Sequence, residues 1–326
     1  MRIAVLGNIN LDLVFQVDRL PEPHEKMGAQ RVDIGGGGAP ANVAWWLARL
    51  GHEVSYVAAI GDDPLSGVAL EELAAVGVDL SRVRRLPGLG VTLAVLLANG
   101  ADKRMIGGRA GDGAGAARAF ARLIAETDFR GFDHLHTLAQ AHPLLFADGR
   151  RADLAGLRVS ADLNGAYTAR RGAEFDLWFS NRDELVRKTG HPDPAAMLAA
   201  DLGQGPHHAV ITNGAEDVTV YRLEGPVRLC PPATRVVDRT GAGDAFCAGY
   251  LHATLAGEGP ERAIAAGLAL SQAAMSGHGC RPSTPVSEKA LDLLRSRALG
   301  TPTTEGSPRT APHETLLRAL PGQRKP

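Results

Sequence analysis

Short apolar runs and amphipathic runs alternate along most of this chain. Ile3–Leu6, Val54–Ile60, His134–Leu138, Leu157–Asp162, Leu177–Phe179 and Ala209–Thr212 are brief, mostly apolar and bounded by polar or turn residues, which predicts strands. Between the first two, Ala41–Leu50 carries apolar residues at helical spacing and is closed by Gly51; Leu65–Ala75 repeats the pattern and stops near Gly77. Val218–Leu223 and Val227–Leu229 flank Glu224-Gly225-Pro226 and predict a hairpin, followed by helices at Ala242–Ala256, Glu261–Ser276 and Ser287–Ala298. Such alternation argues for an α/β fold with a mostly parallel sheet covered by helices on both faces. Two stretches break the rhythm, residues 11–34 and 83–108. Their strand-like pieces, Leu13–Val17 and Val91–Ala98, have no helix between partners and predict extra antiparallel strands outside the main sheet. Residues 300–326 are rich in Thr, Pro and charge and read as a mobile tail.

Composition narrows the class. Hydrophobic content of 44% and charged content of 22% are those of a soluble globular protein. A net charge of −1 supplies no basic field for nucleic acid or an anionic membrane. Cys230, Cys247 and Cys280 show no metal spacing and cannot all pair, so they read as reduced thiols in a cytoplasmic protein. The N-terminal residues form a strand and its turn rather than a secretory apolar region, and no apolar run reaches the length of a membrane span.

Candidate chemistry concentrates at Val237-Asp238-Arg239-Thr240-Gly241-Ala242-Gly243-Asp244-Ala245-Phe246. Gly241 and Gly243 let successive backbone N–H groups converge on one point, at which the following helix aims the positive end of its dipole. A carboxylate planted beside such an anion-binding turn makes sense if Asp244 touches the group that attacks a phosphate. A plain helix entry with Asp244 as a first-turn acid would suit an isolated Gly-Ala-Gly-Asp. The longer string resembles the C-terminal signature of the ribokinase-like (PfkB) family of carbohydrate and nucleoside kinases. Gly35-Gly36-Gly37-Gly38-Ala39-Pro40-Ala41-Asn42 is similar to that family's N-terminal signature, while a Walker A loop is absent and the turn at Gly7 lacks a dinucleotide fingerprint.

The resemblance covers roughly residues 1–298 and implies a kinase domain over 1–299: a three-layer α/β/α fold with a mostly parallel central sheet and a small β-lid built from the segments 11–34 and 83–108. It implies that Asp244 is the catalytic base and that Gly241, Ala242 and Gly243 form an anion hole. Gly36, Gly37 and Gly38 would allow close backbone approach to a sugar whose hydroxyls Asn10, Asp12 and Asn42 would hold. Asn181 and Glu184 match an Asn-x-x-Glu element that organises Mg²⁺ and phosphates, Glu184 largely through water, and also suit a helix cap. Thr212 and Gly214 match a nucleotide-phosphate contact. Asp238, Thr240, Ala274, Gly279 and Ser283 correspond to a K⁺ site found in many members. Arg109 is similar to an arginine that 2-keto-3-deoxygluconate kinases use for an acidic sugar. The implied cofactors are ATP, Mg²⁺ and, at the cation site, K⁺; the implied partners are a small sugar or nucleoside and a second copy of the chain through the lid. A neutral sugar best suits Asn10, Asp12 and Asn42. Nucleoside kinase, 2-keto-3-deoxy sugar-acid kinase and a non-catalytic nucleotide-binding relative stay open. Gly61-Asp62-Asp63 reads as helix capping, and Trp45-Trp46 as core packing.

Overall fold

In β1 (Arg2–Leu6), Ile3 and Val5 enter one hydrophobic core while Ala4 and Leu6 enter another. An unbroken apolar run is what burial on both faces of a parallel strand requires. A computed structural model describes residues 1–99, 102–111, 113–146, 154, 156–163, 175–190 and 208–282. The expected helix at Ser287–Ala298 and the tail lie outside the described residues.

The chain then runs through β2 (Asn10–Gln16), β3 (Arg31–Gly37), α1 (Ala39–Arg49), β4 (Glu53–Gly61), α2 (Pro64–Ala75), β5 (Val83–Leu86), β6 (Leu89–Asn99), β7 (Asp102–Gly111) and α3 (Gly113–Glu126). It continues through β8 (His134–Leu138), α4 (His142–Leu145), β9 (Arg158–Asp162), β10 (Leu177–Asn181), α5 (Arg182–Thr189) and β11 (His208–Asn213). β12 (Asp217–Tyr221), β13 (Val227–Leu229), α6 (Ala242–Leu255) and α7 (Pro260–Met275) complete the described elements.

The main sheet has the order β13-β12-β11-β10-β9-β8-β1-β4-β5. It is parallel from β11 to β5, and only the β12 and β13 pairings are antiparallel. Residues of α1, α6 and α7, among them Trp46, Phe246, Tyr250 and Leu270, share one core with Ile3 and Val5. Ile124 of α3, Leu145 of α4 and Leu185 of α5 share the other with Leu6 and Trp178. The result is three layers, α/β/α. Trp45 and Trp46 are both buried, edge to face, and Asp63 caps α2 by accepting from the Ser66 amide at 3.1 Å.

A second sheet of four strands, β3-β2-β6-β7, stands apart from the first. Here the structure departs from the sequence pattern in three ways. The extra strands are not all antiparallel: β2 and β6 run parallel, Asn10 opposite Thr92 through Gln16 opposite Ala98, with an antiparallel partner outside each. A parallel pair needs a long crossover, here the chain from β3 to β5, and no local pattern specifies such a pairing. The segment Val83–Leu86 belongs to the edge of the main sheet beside β4, so the second sheet resumes only at Leu89. Finally, α3 forms where no helix is expected: Ala116, Ala117, Phe120, Leu123 and Ile124 recur at helical spacing, but Gly113 and Gly115 in its first turn obscure its start.

Candidate active site

Parallel strands place their C-terminal ends along one edge of the sheet, where open α/β sheets bind ligands. Asn8 and Asn10 follow β1 there, Asp162 ends β9, Asn181 ends β10, and Thr212 sits opposite Asn181 near the end of β11. Gly241 delivers α6 to the same region. Its φ of 74° is left-handed, and a Cβ on it would lie 2.8 Å from the Cys280 Cα. Glycine is required at this turn on both counts. Asp244 follows in the first turn of α6.

Asp244 is held by a residue 202 positions away. The Asn42 side-chain amide, buried in α1, donates to Asp244 Oδ2 at 2.7 Å. Burial pushes the Asp244 carboxyl from the ordinary 3.8 up to about 7. The Asn42 hydrogen bond opposes that rise, the Asp162 and Asp12 carboxylates add to it, and the Arg281 guanidinium pulls the other way.

Asp12 lies in β2, and the Cys280 thiol donates to its Oδ2 at 3.3 Å. The bare Gly37 backbone admits the Asp12 carboxylate, which a Cβ on Gly37 would meet at 2.2 Å. Gly38 has a φ of 94° and its Cβ position lies 2.9 Å from the Asn8 carbonyl, so the end of β3 passes close over the loop after β1. Asn8 donates to Asn10 Oδ1 at 2.8 Å. Register places Gly37, Asn10, Thr92 and Arg109 in one row across the second sheet. The structure therefore brings Asp12, Asn42, Asp244 and the glycines 36–38 together, with Asn10 at the adjoining strand start.

The remaining candidates form two further groups. Asn181 caps α5, its Oδ1 accepting from the Asp183 and Glu184 amides at 3.0 and 3.3 Å; Glu184 is half-buried in the first turn. Thr212 donates from its hydroxyl to the Ser180 carbonyl at 3.4 Å, and Gly214 has a φ of 58° in the exposed turn beyond. The other group ties two loops together. Asp238 Oδ1 accepts from both the amide and the hydroxyl of Thr240, at 2.9 and 2.7 Å, while its Oδ2 accepts from the Gly279 amide at 2.9 Å. The Ala274 carbonyl accepts from the Gly277 amide at 3.4 Å. Ser283 lies outside the described residues.

Within the turn at Gly241–Gly243, the Ala242 amide donates to the Arg239 carbonyl, 3.2 Å away. The amides of Gly243 and Asp244 stand in the first turn of α6, where no intrahelical acceptor exists. Among the described residues a Cβ added to Gly243 would meet nothing within 4 Å, so neither their packing nor φ explains glycine at that position. A ligand approaching the backbone would.

Three residues of the site escape the sequence pattern: Asp162, Glu72 and Arg281. Asp162 ends a strand and bears on Asp244. Glu72 Oε2 accepts from the Gly36 amide at 2.9 Å and from Arg281 Nη1 at 3.1 Å. Arg281 sits in a loop that the pattern marks only by its glycines.

The chain is similar in sequence to an ATP-dependent ribose-1-phosphate kinase of Halopiger xanaduensis, 28% identical over 91% of this chain and 99% of that protein. A structure of Arabidopsis thaliana ribokinase complexed with ribose and ATP superposes with a TM-score of 0.71 at 22% identity, covering 90% of this chain and 98% of the other. An E. coli protein in complex with ATP and Mg²⁺ matches with a TM-score of 0.71 at 18% identity, over 91% and 99% of the two chains. At these identities the structural likeness is one of fold. The model of the pfkB family carbohydrate kinases matches residues 1–287, and the chain belongs to that family.

Proposed function

We propose that this carbohydrate kinase moves the γ-phosphoryl group of ATP to a hydroxymethyl group of a small sugar, with Asp244 as the base. One observation carries the reading: a carboxyl raised to about 7 stands at the N-terminus of α6, beside an amide donor from α1 and next to a glycine turn. A base poised near the working pH accepts a proton well. An alcohol is far less acidic than a carboxylic acid, so Asp244 orients the hydroxyl and takes its proton as the new O–P bond forms. Phosphoryl transfer asks mainly for positioning and charge stabilisation. Gly241 and Gly243 supply amides for the transferring oxygens, and Ala242 adds a third once it leaves the Arg239 carbonyl. Losing one such donor raises a barrier by roughly 3 kcal/mol.

Asn10, Asp12, Asn42 and the glycines 36–38 would hold the acceptor, with Arg109 in the same row. The second sheet would act as a lid over it, and the kinase domain would span 1–299. Thr212 and Gly214 would meet the nucleotide phosphates. Bound Mg²⁺ supplies charge neutralisation on those phosphates. Glu184 suits it as a half-buried hard-oxygen donor in the first turn of α5, acting through water beside Asn181. At the candidate K⁺ site the Asp238 carboxylate is occupied by three internal donors, so the cation would rely on carbonyl oxygens around Thr240, Ala274 and Gly279. Among the described residues no helix is long and apolar enough to cross a membrane, and all three cysteines are free, which supports a cytoplasmic enzyme.

A second reading of the acceptor rests on a cavity of about 510 Å³ at the same strand ends, lined by Asn8, Ala59, Ala117, Phe120, Thr137 and Gln140 among others. Asn8 joins it to Asn10, and its volume exceeds what a pentose alone fills. A nucleoside would use that room.

ATP consumption by the purified protein with Mg²⁺, with and without K⁺, against pentoses, hexoses, sugar acids and nucleosides tests these readings. Turnover with one class, abolished in Asp244→Asn while ATP affinity stays, is the expected result. Wild-type rates in Asp244→Asn would remove the base assignment. ATP binding with silence across the panel would favour a non-catalytic relative.

A further inference from the structure

Arg281 lies in the loop after α7, and its side chain is 1% exposed. All three edges of its guanidinium are engaged. Nε donates to Asn42 Oδ1 at 3.0 Å, Nη1 to Glu72 Oε2 at 3.1 Å and Nη2 to the Gly37 carbonyl at 3.4 Å. Glu72 returns to the same glycine run by accepting from the Gly36 amide at 2.9 Å. Gly36 has no Cβ where one would lie 2.2 Å from Arg281 Nη1, so the run is shaped around the guanidinium.

Asn42 stands between Arg281 and Asp244, and its amide has one orientation that serves both. The carbonyl faces the cation and the NH₂ faces the carboxylate. Reversing it would set oxygen against carboxylate and NH₂ against guanidinium. We infer that Arg281, clamped by Glu72, is a positioning residue that locks the Asn42 amide toward Asp244 and shapes the Gly36–Gly37 backbone of the acceptor site. The inference rests on the reading of Asp244 as the base. An ion pair with one buried partner is weak evidence for a stability role, since well-packed apolar replacements are often as stable. What an apolar pair could not do is orient the amide.

The groups that bear on Asp244 come from several elements: Asp12 of β2, Asn42 of α1, Asp162 of β9, Cys247 of α6 itself, and Cys280 and Arg281 of the loop after α7. Arg281 is the cation among them. Without it, two other carboxylates act on Asp244 uncompensated and the Asn42 donor is free to turn away.

The test is a ¹³C-carboxyl NMR titration of Asp244 in the full chain, joined to kinetics with the acceptor that the panel identifies. Arg281→Met with Glu72→Met removes both charges and keeps the volume. Its Asp244 midpoint is expected to rise on the order of one unit, and kcat to fall about 100-fold with KM for ATP unchanged. Arg281→Lys keeps the charge but loses the fork, so the midpoint stays near wild type while kcat falls. A folded double variant with wild-type midpoint and kcat would reduce Arg281 to filler. Should the double variant not fold, wild-type kcat in Arg281→Lys would overturn the inference just as well. If Asp244→Asn itself kept full turnover, the base reading would fail. The titration would then still report whether Arg281 governs Asp244.

Discussion

Asp244 carries opposite demands. Its raised carboxyl binds a proton more tightly in the folded chain than in the unfolded one, so between about 3.8 and about 7 the folded state holds extra protons. Stability therefore falls as pH rises through that window, and at neutral pH the ionised carboxylate is a net cost to the fold. Asp244→Asn removes the charge and keeps an oxygen for the Asn42 donor. Its melting temperature at pH 8 is expected to lie a few degrees above wild type, while turnover is lost. A lower melting temperature would mean that the carboxylate is stabilising after all. For the active enzyme the sign reverses: kcat/KM should fall as pH drops below about 7, because the base becomes protonated. Gly243→Ala gives a matching test on the turn. The added methyl meets no atom of the described residues within 4 Å, and alanine is worth roughly 0.5–1 kcal/mol over glycine in a helix, so stability should hold or rise. Turnover should fall, because the methyl enters the space proposed for phosphate; unchanged kinetics would argue against the anion hole. Asp244, Asn42 and the glycine runs were legible in the sequence because their spacing is itself chemical. Arg281 and Glu72 were not. They meet across 209 positions, and an ion pair between distant segments leaves no periodicity.

At the scale of elements, α6 positions Asp244 and is itself set by α7. Gly249 and Gly267 are the contact: a Cβ on Gly249 would lie 2.5 Å from the Ala266 carbonyl, and one on Gly267 would lie 2.7 Å from the Phe246 ring. Both helices are buried nearly all round, with α1 and the sheet on their other sides, which is why they read as apolar runs rather than as a clean amphipathic stripe. Backbone atoms cannot yield as a side chain can, so Gly249→Ala must push the helices apart. A loss of about 1–3 kcal/mol is expected, seen as a lower urea midpoint, with kcat reduced because Asp244 rides on the displaced helix. Full stability in that variant would show that the two helices have room to spare. The main-sheet strands and these helices were readable because two-sided burial gives strands a distinct composition. The pairing of β2 with β6 was not, since parallel neighbours are decided by a crossover of more than fifty residues.

At the scale of the whole molecule, the described residues leave an apolar surface uncovered on the second sheet. On one face of the second sheet, Leu11 packs into the main core and Leu93 lies against it, next to α2. Farther along the strands the same face presents two rows, Ile34-Leu13-Val95-Ile106 and Val32-Phe15-Leu97-Arg104. Ile34 is 61% exposed and Ile106 73%, with Leu13, Phe15, Val95 and Leu97 half-buried between the edges. The opposite face carries Asn10 and Asp12 and is committed to the site. A second copy of the chain is the occupant we propose for the apolar face. Two copies related by a twofold axis present the same rows to each other, and a net charge of −1 opposes the approach very little. Each side chain that becomes fully buried contributes about 1.5–3 kcal/mol, and symmetry counts each of them twice. Light scattering should then report twice the 34.2 kDa chain mass at micromolar concentration. Ile34→Asp combined with Ile106→Asp should weaken the dimer at least ~100-fold, a change of about 2.7 kcal/mol, and return the single-chain mass with an unchanged circular dichroism spectrum. A wild-type protein that stays at the mass of one chain would leave this face to the acceptor lid alone. Because the same strands carry Asn10 and Asp12 on their other side, a true dimer should also lower KM for the acceptor as protein concentration rises through the dissociation constant. The double variant should show no such dependence.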